Sequence, residues 1–233
     1  MKITYWSDYA CPYCYIGETR LKKAINKLGL ENIVSFEMKA FQLDPYAPVQ
    51  SVGPTQKRFA QKYGISYEQA SQRIEQISAL GRQEGLSFNY LSTLFTNTMD
   101  AHRLTKLVQE TGSKEQVEEL KSALFQAYFA DNKELADHEV LLAAAVQVGL
   151  DQETVETFLE GERFKEQVLA DQEEARQLGI SGVPYFVIDD RYAVAGAQSQ
   201  ESFETALRQA YLEELSESES DDNLSCGPEG CRI

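Results

Sequence analysis

Trp6-Ser7-Asp8-Tyr9-Ala10-Cys11-Pro12-Tyr13-Cys14-Tyr15-Ile16-Gly17 holds two thiols, Cys11 and Cys14, separated by two residues. Upstream, Lys2-Ile3-Thr4-Tyr5-Trp6 is short, β-branched and aromatic, which predicts a strand. Downstream, Ile16, Leu21, Ala24, Ile25 and Leu28 recur at helical spacing before Gly29. The thiols therefore fall where a strand turns into a helix, with Pro12 at or near the first helical position. Cys11 lies beside the helix N-terminus, where unpaired N–H groups and the macrodipole favour a thiolate, the reactive form of cysteine. Cys14, one turn later, is placed to attack a mixed disulfide formed on Cys11. That is the chemistry of thiol–disulfide exchange.

A C-x-x-C pair is also half of a zinc site, and the chain has four cysteines. The other two, Cys226 and Cys231, stand at the far end of a polar tail, and a strand-to-helix junction favours the redox reading. His102 and His138 are the only histidines, so no metal site is expected on them.

The 233 residues suffice for one large domain or two small ones. Net charge is −15, from 37 acidic and 22 basic residues, which argues against a nucleic-acid surface or an anionic membrane as partner. No apolar run approaches the ~18–20 residues of a membrane span. Met1-Lys2 leads straight into the first strand without a signal-type apolar core, so a cytoplasmic location is expected. In a reducing compartment persistent structural disulfides are rare, and paired cysteines more often do redox work.

A second strand is predicted over 32–41, where Ile33, Val34, Phe36, Met38 and Phe41 are apolar, followed by breaks at Asp44-Pro45, Ala47-Pro48 and Gly53-Pro54. From Thr55 to about Gly149 the pattern is helical throughout. Ser66 with Gln69 and Ser113 with Gln116 are capping-box signatures, and Asn97 and Asp137 are further cap candidates. A short helix over 151–159 and a longer one over 162–178 follow. Gly182-Val183-Pro184-Tyr185-Phe186-Val187-Ile188 reads as a strand entered through proline, and Tyr192-Ala193-Val194 as its return strand. Phe203, Ala206, Leu207, Tyr211 and Leu215 define a closing helix. The expected organisation is an α/β domain in two parts, 1–50 and 151–215, an all-helical insertion over 51–150, and an acidic flexible tail over 216–233.

In this order the motifs resemble the thioredoxin superfamily, and among its members the DsbA family of thiol–disulfide oxidoreductases, closest to its FrnE-like group. The resemblance rests on 8–17, on Asn97-Thr98 with Ala101-His102-Arg103-Leu104, on 178–187 and on Gly196-Ala197-Gln198. It implies a thioredoxin fold with an inserted helical domain. It also implies that Cys11 attacks, that Cys14 resolves, that Pro184 is a cis-proline facing the thiols, and that Val183 offers its backbone to an extended substrate. Tyr13, Asn97, His102 and Arg103 would lie along a substrate groove. The residues alone also allow a helix cap, a satisfied core histidine and a surface arginine at the last three positions. Where DsbA has histidine between proline and the second cysteine, this chain has Tyr13, and Asp8 as a carboxylate opposes a neighbouring thiolate. A milder thiolate and a more reducing couple than in DsbA are expected.

Gly227-Pro228-Glu229-Gly230 has the proline and glycine of a type I turn, which would bring Cys226 and Cys231 to disulfide distance. This tethered pair reads as an accessory dithiol, a structural clip or a weak metal site. The activity expected is reduction or isomerisation of disulfides in proteins or peptides, with no bound cofactor and with glutathione or a thioredoxin system as reductant. Two alternatives stand beside it. One is a glutathione-dependent enzyme of the kappa-transferase or hydroxychromene-carboxylate isomerase kind, which uses serine at the position of Cys11. The other is a non-enzymatic redox sensor or partner-binding module.

Overall fold

The structure, a computed structural model, describes residues 1–222. β1 (Lys2–Ser7) runs into α1 (Pro12–Leu28), and β2 (Ser35–Ala40) lies parallel to β1 with Trp6 opposite Lys39. β3 (Tyr185–Ile188) pairs antiparallel on the other side of β1, with Trp6 opposite Tyr185, and β4 (Tyr192–Ala195) follows in the order β2-β1-β3-β4. β1 is buried on both faces because both are covered. Ile3 and Tyr5 join the main core, while Trp6 packs with Ala175 and Ile180 on the opposite face.

Six helices intervene between the two halves of the sheet: α2 (Thr55–Tyr63), α3 (Tyr67–Gln83), α4 (Met99–Thr111), α5 (Lys114–Phe129), α6 (His138–Gln147) and α7 (Gln152–Glu160). α8 (Lys165–Gln177) returns to pack on β2, and α9 (Gln200–Asp222) packs on α1. Among the described residues this is a mixed four-stranded sheet with nine helices, the thioredoxin fold with a helical insertion. The capping boxes at Ser66 and Ser113 both form, each satisfying two backbone N–H groups reciprocally, and Asp137 caps α6 through the Glu139 N–H. One apolar cluster carries Ile3, Tyr5 and Phe186 of the sheet together with Leu104, Leu120, Leu124 and Phe125 of the insertion. The insertion therefore shares its core with the sheet instead of hanging from it.

Three boundaries differ from the sequence pattern. Residues 31–33 form a turn, so β2 is shorter than 32–41. α8 starts at Lys165 because Phe164, with φ 67°, takes a left-handed conformation and buries its ring. α9 continues past Leu215 to Asp222, where a flexible tail was expected from 216. The Ser-Glu run over 216–220 contains no glycine or proline to stop it, and glutamate is a good helix former. Cys226 and Cys231 lie outside the described residues.

Candidate active site

Cys11 is the N-cap of α1, extended at φ −95° and ψ 112°, with Pro12 occupying the first helical position. Its N–H donates to the Asp8 carbonyl at 3.0 Å, and the Cys14 N–H donates to the Cys11 carbonyl at 3.1 Å. Neither thiol is joined in a disulfide in this structure. Cys14 is wholly buried, and its sulfur accepts a hydrogen bond from the Asp8 N–H at 3.5 Å. Burial holds the Cys14 thiol well above the ordinary range; the adjacent Cys11 adds to this, and the Asp8 N–H and Ser7 hydroxyl oppose it weakly. Cys14 is thus a protonated reserve behind Cys11.

Across the cleft the Val183–Pro184 peptide is cis, and the Cys11 thiol donates to the Val183 carbonyl at 3.5 Å. Gly17 permits this approach. A Cβ there would stand 3.0 Å from Pro184 Cγ and 3.3 Å from Ala197 Cα.

A polar cluster underlies the thiols. Glu18 accepts from the Ser7 hydroxyl at 2.8 Å and from the Tyr5 hydroxyl at 3.2 Å, and its Oε2 lies 3.1 Å from Lys121 Nζ. Lys121 also pairs with Glu118 at 2.8 Å; these two carboxylates raise its pKa despite a burial that works the other way. Tyr15 stacks on Phe125, centroids 4.7 Å apart and planes within 4°, which fixes α1 against α5.

The insertion walls a cavity of about 570 Å³ over Cys11. Pro12 and Tyr13 line it from the thiol side, Val183 from the proline loop, and Arg58, Phe59, Tyr63 and Arg73 from α2 and α3. Cys11 is only 3 % exposed yet faces this cavity, so a reacting disulfide has to enter it. The Tyr13 hydroxyl is raised by partial burial and by the neighbouring Cys11 and Tyr63.

Of the groove candidates, only Tyr13 lines the cavity. Asn97 is a loop latch. Its Oδ1 accepts from the Met99 N–H at 2.8 Å and from Gln42, while its Nδ2 donates to the Pro45 and Ala47 carbonyls. His102 is buried, with Nε2 3.3 Å from Asp8 Oδ1. Arg103 is buried too, pairing with Asp100 and donating to the carbonyls of Arg163, Phe158 and Gly161. None of these three lines the cavity: Asn97 and His102 sit as the cap and core-histidine readings have them, and Arg103 is buried where the residues alone allowed a surface arginine. Sequence reasoning missed the Glu18–Lys121 pair and the cavity cations, and saw Asp8 only as a charge. In fact Asp8 holds the Leu43 N–H at 2.8 Å and His102, tying the thiol loop to the segment after β2. No periodicity marks such partners, since they meet only through the fold.

A model of the DSBA-like thioredoxin domain matches residues 2–208. A probable DsbA oxidoreductase from Streptomyces coelicolor is similar in structure, with 35 % identity, a TM-score of 0.84, and 100 % of this chain and 99 % of that one covered. The uncharacterised protein YwbO of Bacillus subtilis (strain 168) is 25 % identical over 212 residues, 88 % of this chain and 94 % of that protein. A 2-hydroxychromene-2-carboxylate isomerase shares the fold at 18 % identity and TM-score 0.63, with 97 % of this chain and 100 % of that one covered.

Proposed function

Because the chain belongs to the DSBA-like thioredoxin domain family, we propose that it is a thiol–disulfide oxidoreductase that reduces or isomerises disulfides of protein or peptide substrates. The observation that carries this reading is the pairing of Cys11 at the N-cap of α1, open to a cavity, with a buried Cys14 one turn behind it. The Cys11 thiolate attacks one sulfur of the substrate; a Cys11–S bond forms, the substrate S–S bond breaks, and the other half leaves as thiolate and takes a proton. Cys14 then loses its proton and attacks the Cys11 sulfur, forming Cys11–Cys14 and releasing the second half. Two electrons and two protons pass to the substrate, and a cytoplasmic thiol reductant of the glutathione or thioredoxin class restores the dithiol. The Val183 carbonyl, at the edge of the cavity, is placed to accept a backbone N–H of an extended substrate once Cys11 has reacted. Cys226 and Cys231 enter as an accessory dithiol that relays electrons to this pair.

Isomerisation of a small molecule with glutathione is disfavoured by the complete dithiol, since that chemistry is served by serine at the position of Cys11. The deciding measurement is the equilibrium potential of Cys11–Cys14 in glutathione buffer, read by thiol trapping and mass. A value near or below about −220 to −260 mV leaves the dithiol reduced and supports a reductase or isomerase; a value near −120 mV makes the protein an oxidant and overturns the direction proposed. Cys11→Ala should abolish turnover.

A further inference from the structure

The cavity over Cys11 is cationic in a chain that is otherwise strongly acidic. Its lining holds Arg58, Lys62 and Arg73 and neither aspartate nor glutamate, against a net charge of −15 for the whole sequence. Arg58 is compensated, since it pairs with Asp44 at 2.9 Å and lies over the Phe95 ring. Lys62 and Arg73 are not. Among the described residues neither Lys62 nor Arg73 forms an ion pair; Lys62 lies over the Tyr63 ring, 5.7 Å from its centroid. Glu75, the acid nearest to Arg73 along α3, is held by Arg82. The N-terminus of α1 points its own partial positive charge into the same space. Between these cations, Tyr13 and Tyr63 offer half-exposed rings to the apolar parts of a substrate.

We propose that this cavity selects disulfides flanked by carboxylates, Lys62 and Arg73 holding the carboxylates while Cys11 takes the sulfur. The assignment deepens the oxidoreductase reading and rests on it. The chemistry is that already described: one S–S bond is exchanged at Cys11 and the dithiol supplies both electrons. The cations take no part in bond making; they raise the encounter rate and hold the disulfide in register. Acidic flanks would be repelled by the rest of the surface, so the complementary field is confined to the mouth of the site. The carboxylates could belong to a protein segment or to a small acidic disulfide such as oxidised glutathione.

The test mixes the reduced full chain with two synthetic peptides that share one disulfide and differ only in Asp/Glu or Asn/Gln flanks. Oxidised glutathione is the third probe, and formation of Cys11–Cys14 is followed by quenched thiol trapping. The acidic peptide should react faster by on the order of tenfold at low salt. That ratio should shrink towards one near 1 M salt, where the Debye length falls to about 3 Å. The double variant Lys62→Glu/Arg73→Glu should reverse the preference, and Lys62→Arg/Arg73→Lys should keep it. Both side chains are exposed, so neither variant disturbs the core. Equal rates for the two peptides, or a preference that charge reversal leaves intact, overturn the proposal while the oxidoreductase reading stands. Failure of all three disulfides to oxidise the dithiol overturns both. Oxidised glutathione that responds to salt and to charge reversal as the acidic peptide does identifies a small-molecule disulfide as the source. Response of the peptide alone identifies a protein segment, and either result supports charge selection.

Discussion

The Nζ of Lys121 stands 3.1 Å from Oε2 of Glu18, and both side chains are buried. The pair joins α5 of the insertion to the helix that carries the thiols, and Glu18 in turn holds the hydroxyls of Ser7 and Tyr5. Removing one charge leaves the other buried with weaker compensation, Glu118 for Lys121 and two hydroxyls for Glu18, which costs up to about 3–5 kcal/mol, whereas removing both charges together costs less. Lys121→Met and Glu18→Gln should each lower the urea midpoint strongly, and the double variant should recover most of the loss. The folded chain holds the Lys121 proton more tightly than the unfolded one does. Its contribution is therefore present below about pH 10.5 and lost as pH rises through the folded value, a fall that Lys121→Met should abolish.

Arg103 answers a different question. It gathers three carbonyls at the α7–α8 connection and lies over the Phe158 ring, 5.0 Å from its centroid. Arg103→Ala leaves these carbonyls short of donors and should destabilise the fold by about 2–4 kcal/mol. Alkylation of Cys11 per folded molecule should not change. A loss of Cys11 reactivity with full stability would return Arg103 to the groove.

Cys14 should be slow towards iodoacetamide in a Cys11→Ser variant at pH 7 and faster as the pH is raised, while Cys11 in a Cys14→Ser variant reacts readily. The physical cause is burial of the thiol, which disfavours its charged form. Above about pH 9 the folded chain retains a proton that the unfolded chain gives up, so stability should fall with pH there. Replacing Cys14 by serine should flatten that part of the curve.

Gly17 is the contact through which α1 meets the proline loop. Gly17→Val adds a branched side chain where even a Cβ would stand 3.0 Å from Pro184 Cγ. Overpacking of this kind costs about 1–3 kcal/mol and should move Val183 away from Cys11. Slower exchange with disulfide peptides at unchanged Cys14 burial is expected, measured by the same trapping assay.

The sequence by itself determined the order of elements, the strand-to-helix placing of Cys11 and Cys14, the capping boxes at Ser66 and Ser113, and the family. Each of these is written in neighbours within a few residues, as hydrophobic period, cap chemistry or motif. Tertiary structure alone decided what the polar residues of the insertion do. Asn97, His102 and Arg103 carry the same letters whether they meet a substrate or a backbone carbonyl, and most of their partners lie tens of residues away. The same holds for Glu18 with Lys121, and for Lys62 and Arg73 at the cavity. α9 also continues past the point where apolar periodicity ends, through a Ser-Glu stretch that holds no glycine or proline to stop it. Local signals fix which residues form an element; the desolvation and pairing of a charge depend on which distant element comes to rest against it.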